Sequence, residues 1–141
     1  MSRKGEIIVV EDDMDDREFF SAIVRDLDVK NEIVWFDSTD QAYDYLMKTA
    51  KSIFIIFCDI NVPGRNGLEF KKKIDSEPKL RKKSIPFIFY STLASQREVN
   101  EAYTEMTVQG FFKKNIDFDD TKVMIKTIFD YWGMAKHPNT Q

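Results

Sequence analysis

Hydrophobic residues along this chain follow two rhythms that take turns. Short apolar runs at Glu6-Ile7-Ile8-Val9-Val10, Glu32-Ile33-Val34-Trp35-Phe36, Ile53 to Cys58, Phe87-Ile88-Phe89-Tyr90 and about Val108 to Lys113 predict five strands. Between them, apolar residues recur every three or four positions, the stripe of an amphipathic helix. Phe19, Phe20, Ile23, Val24 and Leu27 mark the first helix, for which Asp15 with Glu18 suggests a capping box. Ala42, Tyr45, Leu46 and Thr49 mark a second, after the cap candidates Asp37, Ser38 and Thr39. A short third helix is expected over Leu68 to Ile74, followed by a polar, basic loop from Glu77 to Ser84. Ser95 with Glu98 caps a fourth helix carrying Val99, Ala102, Tyr103 and Met106. Asp117, Asp119 and Asp120 offer caps to a fifth, with Ile125, Ile128, Phe129 and Trp132 on one stripe and Gly133 and Pro138 closing it.

The third run, Ile53-Phe54-Ile55-Ile56-Phe57-Cys58, is apolar without alternation and stops abruptly at Asp59. A strand of this kind is covered on both faces, as in a parallel sheet between helix layers. Strands alternating with helices imply βαβ units with right-handed crossovers, hence an α/β domain of three layers, α/β/α. All carboxyl ends of the strands then share one edge, and such a sheet binds ligands outside that edge where the winding reverses. With strand order 2-1-3-4-5 the reversal falls between the first and third strands, which end in Glu11-Asp12 and in Asp59.

At 141 residues the chain has the length of one domain, expected to bury roughly 68–70% of its unfolded surface. The domain is expected over residues 1–135, with a frayed tail at 136–141 and no output domain after it. Hydrophobic and charged fractions of 43% and 32% are globular values, and a net charge of -3 with both signs interspersed gives no reason to expect nucleic acid or a membrane surface as partner. The single cysteine, Cys58, cannot form an internal disulfide and reads as a small core residue. The apolar run near the start is too short for a signal peptide or a membrane span, so a cytoplasmic protein is expected. The lysines at 71–73 and 79–83 read as a solvated basic face.

Three carboxylates at one crevice repel, each close pair by about 4 kcal/mol at 4 Å and an effective dielectric of 20, so a cation should bridge them. An all-oxygen pocket suits a hard ion that keeps water and phosphate ligands, which points to Mg²⁺. The fourth and fifth strands bring a hydroxyl, Ser91 or Thr92, and an ammonium, Lys113 or Lys114. A hydroxyl and a fixed cation around a metal-held anion are the parts that stabilise a transferring phosphoryl group. Asp59 is then the nucleophile, forming an aspartyl phosphate.

The ordered segments Val9-Val10-Glu11-Asp12-Asp13, Cys58 to Gly67, Pro86 to Ser91 and Gly110-Phe111-Phe112-Lys113-Lys114 resemble the receiver domain of two-component response regulators, over about Glu6 to Trp132. The flavodoxin-like strand order 2-1-3-4-5 enters with this resemblance. So do the roles it implies. Asp59 becomes the phosphoacceptor, Asp12 a direct Mg²⁺ ligand, Glu11 a ligand through water, and Asn61 a ligand through its backbone carbonyl. Ser91 becomes the switch hydroxyl, Lys114 the phosphate-binding lysine and Phe111 the switch aromatic, while Asn61 and Leu93 flank the phosphoryl group. The implied protein is a stand-alone signalling phosphoprotein, not a turnover enzyme. Its phosphoryl group comes from a sensor histidine kinase or a histidine phosphotransfer protein. It signals by onward phosphorelay or by protein contact through the face of the fourth helix, fifth strand and fifth helix. One departure stands out: the family usually has proline after the lysine, often with a cis bond, and this chain has Asn115. A cis bond before a non-proline residue costs about 2.5–4 kcal/mol, so a trans Lys114-Asn115 bond is expected, which would aim Lys114 differently.

Two other readings compete. An aspartate-nucleophile phosphatase usually carries Asp-x-Asp, where this chain has Asp59-Ile60-Asn61. A pseudo-receiver that only binds partners is disfavoured by the intact carboxylate set and kept open by Asn115.

Overall fold

The computed structural model describes residues 5–62, 66–92 and 95–135. The elements run in the order β1 (Glu6–Val10), α1 (Met14–Asp26), β2 (Ile33–Phe36), α2 (Thr39–Lys48), β3 (Ile53–Cys58) and α3 (Gly67–Ser76). They continue with α4 (Pro78–Lys83), β4 (Phe87–Ser91), α5 (Gln96–Glu105), β5 (Gly110–Lys113) and α6 (Phe118–Met134). The five strands pair in parallel in the order β2-β1-β3-β4-β5, the flavodoxin-like arrangement expected.

Strand alternation divides the core in two. Ile8, Val10, Ile56, Cys58, Phe87 and Phe89 face the helices α2 to α5, where Ala42, Leu46, Phe70, Leu80 and Ala102 meet them. Ile7, Val9, Ile55, Phe57, Ile88 and Tyr90 face α1 and α6, where Phe20, Ile23, Ile125 and Phe129 meet them. Residues of β1, β3 and β4 are buried throughout, as strands sandwiched between helix layers require. Cys58 is a free, buried core residue, and its thiol is pushed well up by burial. No helix among the described residues is long and apolar enough to cross a membrane.

Several elements differ from the sequence reading, each for a local reason. Helix α1 starts at Met14, because Asp13 rather than Asp15 is the cap and accepts from Asp16 N at 3.0 Å. Residues 78–83 form the helix α4 where a loop was expected. Pro78 fits the first turn, Glu77 accepts from Lys79 N at 3.0 Å, Leu80 is buried, and Ser84 closes the turn at φ 51°. Helix α3 runs one residue before and two beyond its apolar stripe, and Asn66 and Glu69 make a capping box at its start. Gly133 lies inside α6, buried, and does not end it; Pro138 and the expected frayed tail lie outside the described residues. The face assigned to the fourth and fifth helices thus belongs to α5 and α6.

Lys71 overturns part of the solvated basic face. It is 3% exposed, with its ammonium on Asp75 Oδ1 at 2.8 Å and Thr107 Oγ1 at 3.1 Å. Asp75 sits one turn along α3, so a helix face predicted to be wet instead closes over a buried pair.

Candidate functional site

Parallel pairing brings the ends of β1, β3, β4 and β5 together at the carboxyl edge. Asp59 N donates to Val10 O at 3.2 Å and Glu11 N to Phe36 O at 3.0 Å, so both residues extend the ladder one step past their strands. Lys114 N donates to Ser91 O at 2.9 Å, which sets the lysine beside the end of β4. Glu11 and Asp59 are buried at 5% and 9% exposure, and Ser91 at 1%.

Asp59 is the hub. Its Oδ1 accepts from Ser91 Oγ at 2.7 Å and from Asn61 N at 3.2 Å, and its Oδ2 accepts from Lys114 Nζ at 2.9 Å. Lys114 also donates to Asp16 Oδ2 at 2.7 Å and to Glu11 Oε1, so its three donors serve three carboxylates. Burial alone would lower its pKa, but the hydrogen bonds to Asp16, Glu11 and Asp59 outweigh burial and raise it. Glu11 shows the opposite balance: burial raises its carboxyl above the usual range despite Lys114 beside it. Tyr90, whose ring centroid is 5.7 Å from the ammonium, is pushed up to about 12 by burial.

Between Ser91 and Thr92, it is Ser91 that touches Asp59, while Thr92 is exposed on the rim. Between the two lysines, Lys114 enters the cluster and Lys113 is exposed at the end of β5. Asp12 and Asn61 are exposed on the same groove of about 530 Å³. Phe111 is half-buried with its ring 5.4 Å from that of Phe89. Leu93 and the turn residues Pro63, Gly64 and Arg65 lie outside the described residues. No cis peptide occurs among the described residues, so Lys114-Asn115 is trans as expected. Asn115 Oδ1 accepts from Asp117 N at 2.8 Å and its carbonyl from Thr121 Oγ1 at 2.9 Å, which ties the loop to the start of α6. On this trans path the ammonium of Lys114 reaches Asp59 directly.

Two participants escaped the sequence reading. Asp16, in the first turn of α1, holds Lys114. Its signal was positional: the first turn of a helix leaving the carboxyl edge overhangs that edge. Arg17 Nε donates to Glu11 O at 2.7 Å and its guanidinium pairs with Asp37, which fixes the backbone beneath Glu11. Nothing in the spacing pointed to it.

The donors of this groove are oxygens, with Glu11, Asp12 and Asp59 supplying carboxylates. Among the described residues no three acidic, histidine or cysteine side chains converge to chelate an ion by themselves. Carboxylate and backbone carbonyl oxygens are the donors that a hard divalent cation takes. The residues fit such an ion.

Comparison with known proteins adds family and fold. The sequence pattern of the response regulator receiver domain family matches residues 7–126. No curated protein matches the chain. Among solved structures, the phosphorylated cyanobacterial phytochrome response regulator RcpA superposes with a TM-score of 0.84 at 24% identity, covering 97% of this chain and 99% of its own. The Mn²⁺-bound form of the response regulator Rcp1 gives 0.81 at 21% identity, covering 95% and 99%. The receiver domain of a sensor histidine kinase from Pseudomonas aeruginosa, with magnesium coordinated in its active-site cleft, gives 0.74 at 17%, covering 94% and 99%.

Proposed function

This chain belongs to the response regulator receiver domain family, and from that premise we propose that it accepts a phosphoryl group on Asp59 from the phosphohistidine of a partner kinase or phosphotransfer protein. Receiver domains are signalling modules rather than turnover enzymes on external substrates. The observation that carries the proposal is the division of labour on one carboxylate. Ser91 holds Oδ1 at 2.7 Å and Lys114 holds Oδ2 at 2.9 Å.

In the transfer, a lone pair of the Asp59 carboxylate attacks phosphorus while the phosphorus–nitrogen bond breaks and its electron pair returns to the imidazole. Lys114, whose pKa is raised by its carboxylates, stays protonated through this step and faces the incoming oxygens with a full charge. Ser91 Oγ–H, already aimed at Asp59, can turn its hydrogen bond to a phosphoryl oxygen. Asp12 and Asp59 would hold Mg²⁺ by carboxylates, Asn61 by its backbone carbonyl and Glu11 through water. The ion supplies charge neutralisation at the phosphoryl oxygens. When Ser91 is drawn toward the phosphoryl group, the half-buried Phe111 gains room to move inward, and the α5, β5 and α6 face changes as a shift of population.

The test is intact-mass measurement after incubation with a small-molecule phosphodonor, with and without Mg²⁺. Wild type should gain one phosphoryl group only with Mg²⁺, and Asp59→Asn should gain none. A wild type that never takes up the group would instead make this chain a binding module built on the receiver fold.

A further inference from the structure

The edge of the sheet away from Asp59 carries a second feature that phosphotransfer does not use. A cavity of about 270 Å³ lies between α2, α3, α4 and the entries to β4 and β5. Its floor is apolar, formed by the buried side chains of Leu46, Ile56, Ile74, Leu80 and Phe87.

The polar part of the wall has donors to spare. Lys71, its side chain 4% exposed, brings an ammonium that uses one hydrogen on Asp75 and one on Thr107. It lies 5.1 Å from the centroid of the Phe87 ring, and among the described residues no third oxygen accepts from it. Arg81 lines the same cavity, and no carboxylate among the described residues pairs with its guanidinium. Gln109 commits its side-chain oxygen to Phe87 N at 2.7 Å, which leaves its amide hydrogens as donors. Two cations therefore face one carboxylate, Asp75, above an apolar floor.

That combination selects a ligand class. The surplus positive charge and unused N–H groups call for an anion, and the fork of a guanidinium matches a carboxylate with two parallel bonds. The apolar floor calls for a body that prefers to leave water, which a bare inorganic anion lacks. Pockets for drug-sized molecules run to about 300–1,000 Å³, so a cavity of this size takes a small one, such as a single ring or a short alkyl chain. We propose that this cavity binds a small organic monocarboxylate, its head held by Arg81 and Lys71 and its apolar body resting on Ile56 and Phe87.

The experiment is a titration of the full chain followed by ¹H–¹⁵N correlation spectra, with benzoate as probe and benzyl alcohol and inorganic phosphate as controls. Benzoate should give saturable shifts centred on Phe87, Thr107 and Gln109, and neither control should do so. Arg81→Gln, a change at an exposed position, should weaken benzoate by about tenfold or more. Lys71→Met, which keeps the volume and removes the ammonium, should weaken it as well. Equal shifts from benzyl alcohol, preference for phosphate, no saturation, or benzoate binding indifferent to both substitutions would each overturn the proposal.

Discussion

Asp75→Asn removes one member of the buried pair on α3 and should be among the costliest single changes in the chain. The Lys71 and Asp75 side chains are 4% and 14% exposed, and Asp75 also accepts from Thr107 N at 3.0 Å and Thr107 Oγ1 at 2.8 Å. Breaking a buried ion pair from one side costs about 3–5 kcal/mol, because the remaining charge stays in a poor solvent. Asn still accepts one hydrogen bond, which places the loss at about 3 kcal/mol. With a urea dependence of about 1.5–2 kcal/mol per molar, the unfolding midpoint should fall by about 1.5–2 M. Lys71→Met leaves the Asp75 carboxylate, which is the more exposed partner and keeps both Thr107 hydrogen bonds, so it should cost less, about 1–2 kcal/mol. The double variant should recover most of the Asp75→Asn loss. Acid titration gives an independent arm. Burial alone would raise the Asp75 carboxyl, but hydrogen bonds from Lys71 and Thr107 hold it below its ordinary 3.8. Its contribution is therefore complete above about pH 4 and disappears as pH falls through the folded value, so wild type and Asp75→Asn should converge in acid. Lys71 is shifted down by burial against the pull of Asp75, so its penalty is in place at neutral pH and is relieved only as pH rises through its folded value. Urea melts settle the matter: Lys71→Met as damaging as Asp75→Asn, or Asp75→Asn within about 0.5 kcal/mol of wild type, would refute this account of the pair.

Two predictions concern Asp59, the proposed phosphoacceptor. A Cβ at Gly67 would lie 2.6 Å from Asp59 O and 2.9 Å from Ile60 Cα, both backbone atoms that cannot swing away. Gly67→Ala should therefore cost about 1–3 kcal/mol in urea melts and slow phosphoryl uptake by displacing Asp59; unchanged uptake would mean the backbone there yields freely. Ser91→Ala removes a 2.7 Å hydrogen bond to a buried carboxylate and should cost about 1.5–3 kcal/mol, with phosphoryl uptake followed by mass slowed at unchanged final stoichiometry. Uptake at the wild-type rate would show that Ser91 takes no part in the transfer.

What could be read from the sequence was what repeats or stands at a boundary. The five strands, their parallel arrangement and the carboxyl edge followed from apolar runs that ended in polar residues, because burial on both faces leaves no alternation to confuse the assignment. Helix α5 was legible to its capping box, since Ser95 and Glu98 satisfy each other locally. Helix α4 was not, because its single buried residue, Leu80, stands among lysines and leaves no stripe to recognise. Lys71 was misread for a related reason: three consecutive lysines look uniformly wet, while the helix turns only one of them against Phe87.

The site divides the same way. Glu11, Asp59, Ser91 and Lys114 stand at strand ends, where the topology alone brings them together. Asp16 stands at no strand end; it joins the cluster because the first turn of α1 overhangs the edge. That difference bears on the residue after Lys114. The family's usual proline constrains the loop covalently, whereas here Asn115 is tied down by Asp117 N and Thr121 Oγ1. Lys114 is gripped at its other end by Glu11, Asp16 and Asp59. Aim that a ring would impose on the backbone is thus supplied by hydrogen bonds at the loop and by charge at the ammonium. Of those anchors Asp16 is the most exposed, with a side chain 42% open to solvent. It is the carboxylate whose hold on Lys114 water and salt weaken most easily, and so, under the proposed function, the one Lys114 would release first on turning toward a phosphoryl group.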